Sequence, residues 1–175
     1  MKTESPTHTS DALSDANQQK ILLVDDSDVI LNLLKVTLEK SGYQIEVANS
    51  FAKAQIALHQ HAYQLLILDY MLARNTTGFD LVRRFREAGL SLPPIIMLSA
   101  EKSSAHRAEA KQLGVKAWMK KPFTPITIIQ LVDQVLTAEH TGEPLTHIDS
   151  NKPTTTEEPE NIEHQQANSI EFQKK

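Results

Sequence analysis

The sequence predicts a doubly wound α/β domain: a five-stranded parallel sheet packed between two layers of five helices in all, flanked by disordered tails. Three observations predict it. Short, unbroken apolar runs have the length of buried strands, amphipathic segments at helical spacing alternate with them, and the connections between the two are short. Strands linked through helices in this way need right-handed crossovers, and those make the sheet parallel.

The alternation begins at Lys20, where KILLVDDSD is an apolar run closed by acids, as in a strand covered on both faces. Behind it Ile30, Leu33, Leu34 and Leu38 recur at helical spacing, with Ser27 or Asp26 able to cap the helix and Gly42 to stop it. QIEVA from Gln44 forms the second strand, Phe51 to His59 the second helix, and QLLILD the third strand, ending on Asp69. A loop containing Gly78 leads to a third helix with Phe79, Val82 and Phe85 or Arg86 on adjacent turns. PPIIMLS supplies the fourth strand up to Ser99, a helix from Ser103 to Leu113 follows, VKAWM is the fifth strand, and Thr124 to Glu139 is the last helix. The fourth helix offers the sheet only Ala105, Ala108, Ala110 and Leu113, a narrow face that holds it weakly, as a movable element requires.

Composition bounds the rest. A chain of 175 residues holds one domain with tails more readily than two folds. The net charge of −4 sits at the ends: residues 20–140 carry 14 Lys+Arg against 12 Asp+Glu, whereas residues 141–175 carry 3 against 7. Residues 1–19 form a flexible N-terminal arm and 141–175 an acidic polar tail, both too poor in apolar residues to offset the entropy of ordering. No dense basic stretch with interleaved aromatics is present, so direct nucleic-acid binding is not expected. Zero cysteines exclude disulfides and thiolate metal sites. With no apolar run of roughly 18 residues and no apolar leader core, the expected location is cytoplasmic, without a membrane partner.

Ligands of open parallel sheets bind beyond the C-terminal ends of the strands. There stand Asp25 and Asp26 after the first strand, Asp69 at the end of the third, Ser99 at the end of the fourth and Lys121 after the fifth. Three converging carboxylates repel one another unless a hard cation neutralises them, and an all-oxygen set of this kind suits Mg2+. A carboxylate nucleophile, a metal and a lysine are together the equipment of phosphoryl transfer. Asp69, on the most apolar strand, is the expected nucleophile, and Lys121 the counter-charge to the phosphoryl group. Taken singly, each residue has a plainer reading: a helix cap for Asp25-Asp26, a turn residue for Asp69, a solvated lysine for Lys121 and a core anchor for Trp118. Their arrival at one edge of one sheet favours the chemical reading.

The motifs LLVDDSD (22–28), LLILD (65–69), MLSA (97–100) and WMKKPF (118–123), with the spacings between them, resemble the receiver domains of two-component response regulators across residues 20–140. The resemblance implies a flavodoxin-like fold of receiver type. It also implies phosphorylation of Asp69 by a sensor histidine kinase or histidine phosphotransfer protein, and Mg2+ held by Asp25, Asp26, Asp69 and the main-chain carbonyl of Met71. Lys121 would pair with the phosphoryl oxygens, Ser99 would move toward them, and Trp118 would swing inward as Ser99 moves, ahead of a usually cis Lys121-Pro122 bond. The signal would then pass to the surface formed by the fourth helix, fifth strand and fifth helix, toward an unknown downstream protein or a homodimer formed on phosphorylation.

Such a protein is a phosphoacceptor that catalyses only its own phosphotransfer and dephosphorylation, and no attached output domain is expected after residue 140. Two departures stand out. Ala73 and Thr77 occupy positions where the family usually shows proline and glycine, the glycine falling instead at Gly78, and Trp118 replaces the commoner Tyr or Phe. The competing class, a Mg2+-dependent phosphohydrolase with an aspartyl nucleophile, needs a second carboxylate two residues after the nucleophile, where this chain has Met71.

Overall fold

A computed structural model describes residues 19–73, 75–101, 103–142 and 148–149. Apart from Gln19, Thr141, Gly142 and Ile148–Asp149, the expected arm and tail lie outside the described residues. In chain order the elements are β1 Lys20–Val24, α1 Asp28–Glu39, β2 Gln44–Ala48, α2 Phe51–Gln60 and β3 Leu65–Asp69. There follow β4 Met71–Ala73, β5 Thr76–Thr77, α3 Gly78–Glu87 and β6 Ile95–Ser99. The chain continues through α4 Ser104–Gln112, β7 Ala117–Lys120, α5 Pro125–Thr141 and β8 Ile148–Asp149.

The five expected strands form a parallel sheet in the order β2-β1-β3-β6-β7, and β8 pairs in parallel beyond β7. Alternate side chains of each strand enter opposite cores. Ile21, Leu23, Leu65, Ile67, Ile96, Leu98, Ala117 and Met119 meet α1 and α5 on one face. Leu22, Val24, Leu66, Leu68, Met97 and Trp118 meet α2, α3 and α4 on the other. Each fully buried Leu or Ile contributes about 1.5 to 3 kcal/mol relative to its exposed state. This two-sided burial explains the unalternated apolar runs.

Local signals set the helix ends. Ser27 caps α1 by accepting from the Ile30 N–H, which decides between the two candidate caps. Thr77 and Asp80 form a capping box on α3, and Thr124 with Thr127 does so on α5, just before Pro125 in the first turn. Caps of this type are worth about 1 kcal/mol each. Helix α5 runs on to Thr141 and stops at Gly142, whose φ of 69° is the left-handed C-terminal stop that glycine provides.

Two features differ from the expectation. The loop after Asp69 is an antiparallel ribbon of β4 and β5 with an irregular register, and Ile148–Asp149 adds a strand within the stretch whose composition reads as tail. Strands of two or three residues carry no periodic signal, so neither could be read from the pattern.

Candidate functional site

The strand order reverses between β1 and β3: β2 lies on one side of β1, while β6 and β7 lie beyond β3. Crossovers leave in opposite directions there, opening a crevice at the strands' C-terminal ends. Asp25 and Asp26 leave β1 into that crevice, and Asp69 closes β3 beside them. The Asp25 N–H still donates to Ala48 O (3.3 Å), so the sheet fixes the direction of the acid pair. From β7, the Lys121 N–H donates to Ser99 O (2.7 Å), aiming the lysine back across the strand ends.

Four of the expected residues come together. Lys121 Nζ lies 2.6 Å from Asp25 Oδ2 and 3.0 Å from Asp69 Oδ1. Asp25 and Asp69 are 1% and 6% exposed, whereas Asp26 is open to solvent. One carboxylate oxygen from each of Asp25, Asp26 and Asp69 lies within 4.8 Å of the other two. Asp25 Oδ1 also accepts the Ser27 N–H (2.8 Å), which fixes its carboxylate plane.

One lysine against three carboxylates leaves the site short of positive charge. Burial pushes the Asp69 carboxyl up to about 6; Lys121 opposes the rise, and the Asp25 and Asp26 charges add to it. Burial pulls Lys121 down, but its bonds to Asp25 and Asp69 outweigh that and hold it above the ordinary lysine value. An all-oxygen, partly open acidic cluster with unneutralised charge fits a small divalent cation.

The other expected residues flank this core. Ser99 is buried at the end of β6, its Oγ accepting the Glu101 N–H (3.0 Å). Met71 opens β4 directly beyond Asp69-Tyr70 and is exposed. Trp118 lies fully in the interior against Tyr70 and Phe79, with ring centroids 5.9 and 6.2 Å apart. The Lys121-Pro122 peptide bond is cis, as expected.

The loop after Asp69 is closed by Gly78, whose N–H donates to Tyr70 O (2.8 Å). A Cβ at that position would stand 2.5 Å from Asp69 O and 2.9 Å from Leu68 Cγ. Only glycine lets α3 begin this close to the backbone of the nucleophile candidate, so the displaced glycine keeps a steric role. Gly78→Ala is expected to destabilise the protein by about 1 to 3 kcal/mol through overpacking, measured by urea unfolding. It should also weaken Mg2+ binding followed by the fluorescence of Trp118, the chain's single tryptophan. An unchanged unfolding midpoint would mean that the loop yields without strain.

Residues 21–133 match the family model described as the response regulator receiver domain. The chain belongs to that family. Among curated relatives of this receiver are the transcriptional regulatory protein GltR of Pseudomonas aeruginosa, 36% identical over 122 residues (69% of this chain, 50% of GltR), and ResD of Bacillus subtilis, 33% identical over 124 residues (71% and 50%). The receiver chain thus spans about half the length of these relatives. Among solved structures, the chemotaxis response regulator CheY4 of Vibrio cholerae aligns with a TM-score of 0.62 and 31% identity, covering 68% of this chain and 99% of that one. Among the described residues no helix is long and apolar enough to cross a membrane.

The receiver also carries contacts that the motifs did not announce. Tyr70 Oη lies 3.1 Å from His106 Nε2 of α4, with the two rings 4.7 Å apart. Arg83 of α3 forms an ion pair with Glu109 of α4. Of the four residues read from the sequence as the sheet-facing side of α4, Ala110 is buried and Leu113 partly so, whereas Ala105 and Ala108 are exposed, so polar contacts supplement a seat even poorer than expected. Helical periodicity places His106 and Ala110 on one face and could have flagged His106; nothing in the sequence pairs it with Tyr70.

Proposed function

We propose that this receiver accepts a phosphoryl group on Asp69 from a histidine kinase or histidine phosphotransfer protein and signals through the surface of α4, β7 and α5. The observation that carries this reading is Lys121 Nζ within 3.0 Å of Asp69 Oδ1 at the crevice where Asp25 and Asp26 also converge. Asp25, Asp26, Asp69 and the Met71 carbonyl would hold Mg2+. When bound, Mg2+ neutralises charge on the transferring oxygens.

An ionised Asp69 oxygen attacks phosphorus in line. The new O–P bond forms as the bond from phosphorus to the donor's imidazole nitrogen breaks, its electron pair staying on that nitrogen. Lys121 follows the charge from the carboxylate to the phosphoryl oxygens. Ser99 Oγ then leaves the Glu101 N–H for a phosphoryl oxygen, and Trp118, packed against Tyr70, is the side chain through which β7 responds. A carboxyl raised to about 6 remains mostly ionised at neutral pH, as a nucleophile must.

The donor's seat is supported by exposed apolar residues next to the crevice. Val29, Leu33 and Val36 line the outer face of α1 at i, i+4, i+7 spacing, and Ile126 stands exposed at the start of α5. A phosphodonor protein covering that strip would bring its histidine to Asp69.

The deciding experiment is incubation of wild type and Asp69→Asn with Mg2+ and acetyl phosphate, followed by intact-mass measurement. The expected result is one acid-stable, base-labile phosphoryl group on wild type, none on the variant, and none on wild type when Mg2+ is chelated. An equal adduct on Asp69→Asn would place the nucleophile elsewhere.

A further inference from the structure

The two edges of the sheet are unlike. At the β2 edge Val47 is 43% exposed and Gln44 and Glu46 reach solvent or its margin, as edge residues do. At the other end Ala117 is 0% exposed, and Trp118 and Met119 are equally buried, although β7 closes the five-stranded sheet. An uncovered edge strand would present its unpaired N–H and C=O groups to water and to other chains.

The cover comes from the chain itself. β8 pairs in parallel with β7 beyond α5, Ala117 opposite Ile148 and Trp118 opposite Asp149. Lys116 N–H donates inward to Ile95 O (2.9 Å), so strand alternation turns the Ala117 and Met119 N–H groups outward, toward β8.

Charge favours the same occupant. The Arg83–Glu109 pair marks the flank of α4 that faces α3, and helical spacing puts Arg107 and Lys111 on the opposite flank of the helix, while Lys120 ends β7. Residues 141–175 carry 7 acidic against 3 basic groups.

We propose that Ile148–Asp149 is an internal plug: in the unphosphorylated protein it occupies the β7 edge that a strand-pairing partner or second copy would need, and phosphorylation lifts it. The second half rests on the proposed function above. At two residues β8 makes the shortest pairing in the parallel sheet, and short pairings open locally at little cost. The strand it pairs with is tied to the acid crevice twice, by Lys121 on Asp69 and by Trp118 on Tyr70. A shift of Lys121 onto a phosphoryl group therefore pulls on the strand that holds the plug.

The test is amide hydrogen exchange, read by NMR on the full chain, comparing wild type with the double variant Ile148→Pro/Asp149→Pro. Proline removes the N–H groups that a strand needs without touching the crevice. In the absence of phosphodonor, Ala117 and Met119 amides should exchange about tenfold or more faster in the variant, while Leu66 and Met97 amides in the sheet centre stay unchanged. Equal exchange in the two proteins would overturn the plug. With Mg2+ and acetyl phosphate maintained throughout, wild type should exchange at the variant's rate at Ala117 and Met119, and its phosphoryl content is read in parallel by mass. A phosphorylated wild type that keeps these amides protected would refute their release. A wild type that takes up no phosphoryl group would refute the phosphoacceptor reading and the release with it; the comparison without phosphodonor still decides the plug.

Discussion

Replacing Trp118 by alanine is expected to lower the unfolding free energy by about 3 to 5 kcal/mol, and by phenylalanine by about 1 to 2 kcal/mol. The indole is completely buried, filling the space between Tyr70 and Phe79 on the side of the sheet that faces α3 and α4. Alanine removes the whole ring and leaves a cavity whose walls are strands and aromatic rings, neither of which collapses easily. Phenylalanine keeps most of the apolar volume. What it discards is the Nε1–H, which has no hydrogen-bond partner among the described residues and contributes nothing by that route. Urea unfolding followed by far-ultraviolet circular dichroism separates the two, since neither variant retains the fluorophore. Equal losses for alanine and phenylalanine would mean that the indole nitrogen is bonded and that polarity, rather than volume, holds the ring inward.

That ring illustrates what the sequence does and does not disclose. Its place on a strand follows from the apolar run around it, and its burial is the ordinary fate of a tryptophan in such a run. The order of strands and helices was legible because every strand is sandwiched and every crossover is short, so pattern and topology restrict each other. The acidic crevice was legible for a related reason: Asp25, Asp26, Asp69, Ser99 and Lys121 each stand at the end of an apolar run, and parallel strands bring all such ends to one edge. Contacts that arise from folding alone were not legible. Tyr70 meets His106 across 36 residues, a long-range contact that no local periodicity encodes. Gly78 is needed because of where Asp69 O lies in space, while in sequence it is merely a glycine displaced from its usual position. The ribbon of β4 and β5 and the pairing of β8 are shorter than the period that would reveal them.

Lys121→Met should destabilise the metal-free protein by about 2 to 4 kcal/mol at pH 7, because it strips the one lysine from two buried carboxylates. The lower part of that range reflects the partial solvent access of the lysine, whose side chain is 19% exposed. Methionine preserves the length and much of the apolar stem, so the loss is electrostatic. Its pH dependence has a definite sign. Asp69 already sits near 6 against an ordinary 3.8, a difference that favours the protonated form in the folded state. The penalty for its ionised form is complete above the folded value and disappears as pH falls toward the unfolded one. Without Lys121 the folded value climbs above 6, so the Asp69 part of the variant's deficit relative to wild type should be full only above that raised value and shrink as pH falls toward about 6, below which both proteins lose the penalty together. Saturating Mg2+ should act like lowered pH, replacing the lost charge in the acid cluster: at a hundredfold excess over its dissociation constant a ligand restores about 2.7 kcal/mol. Thermal unfolding of wild type and Lys121→Met across pH, with Mg2+ and with chelator, gives the comparison. A deficit unchanged by Mg2+ would mean that the cation does not bind where Asp25, Asp26 and Asp69 converge, and the phosphoacceptor chemistry proposed for Asp69 would lose its electrostatic basis.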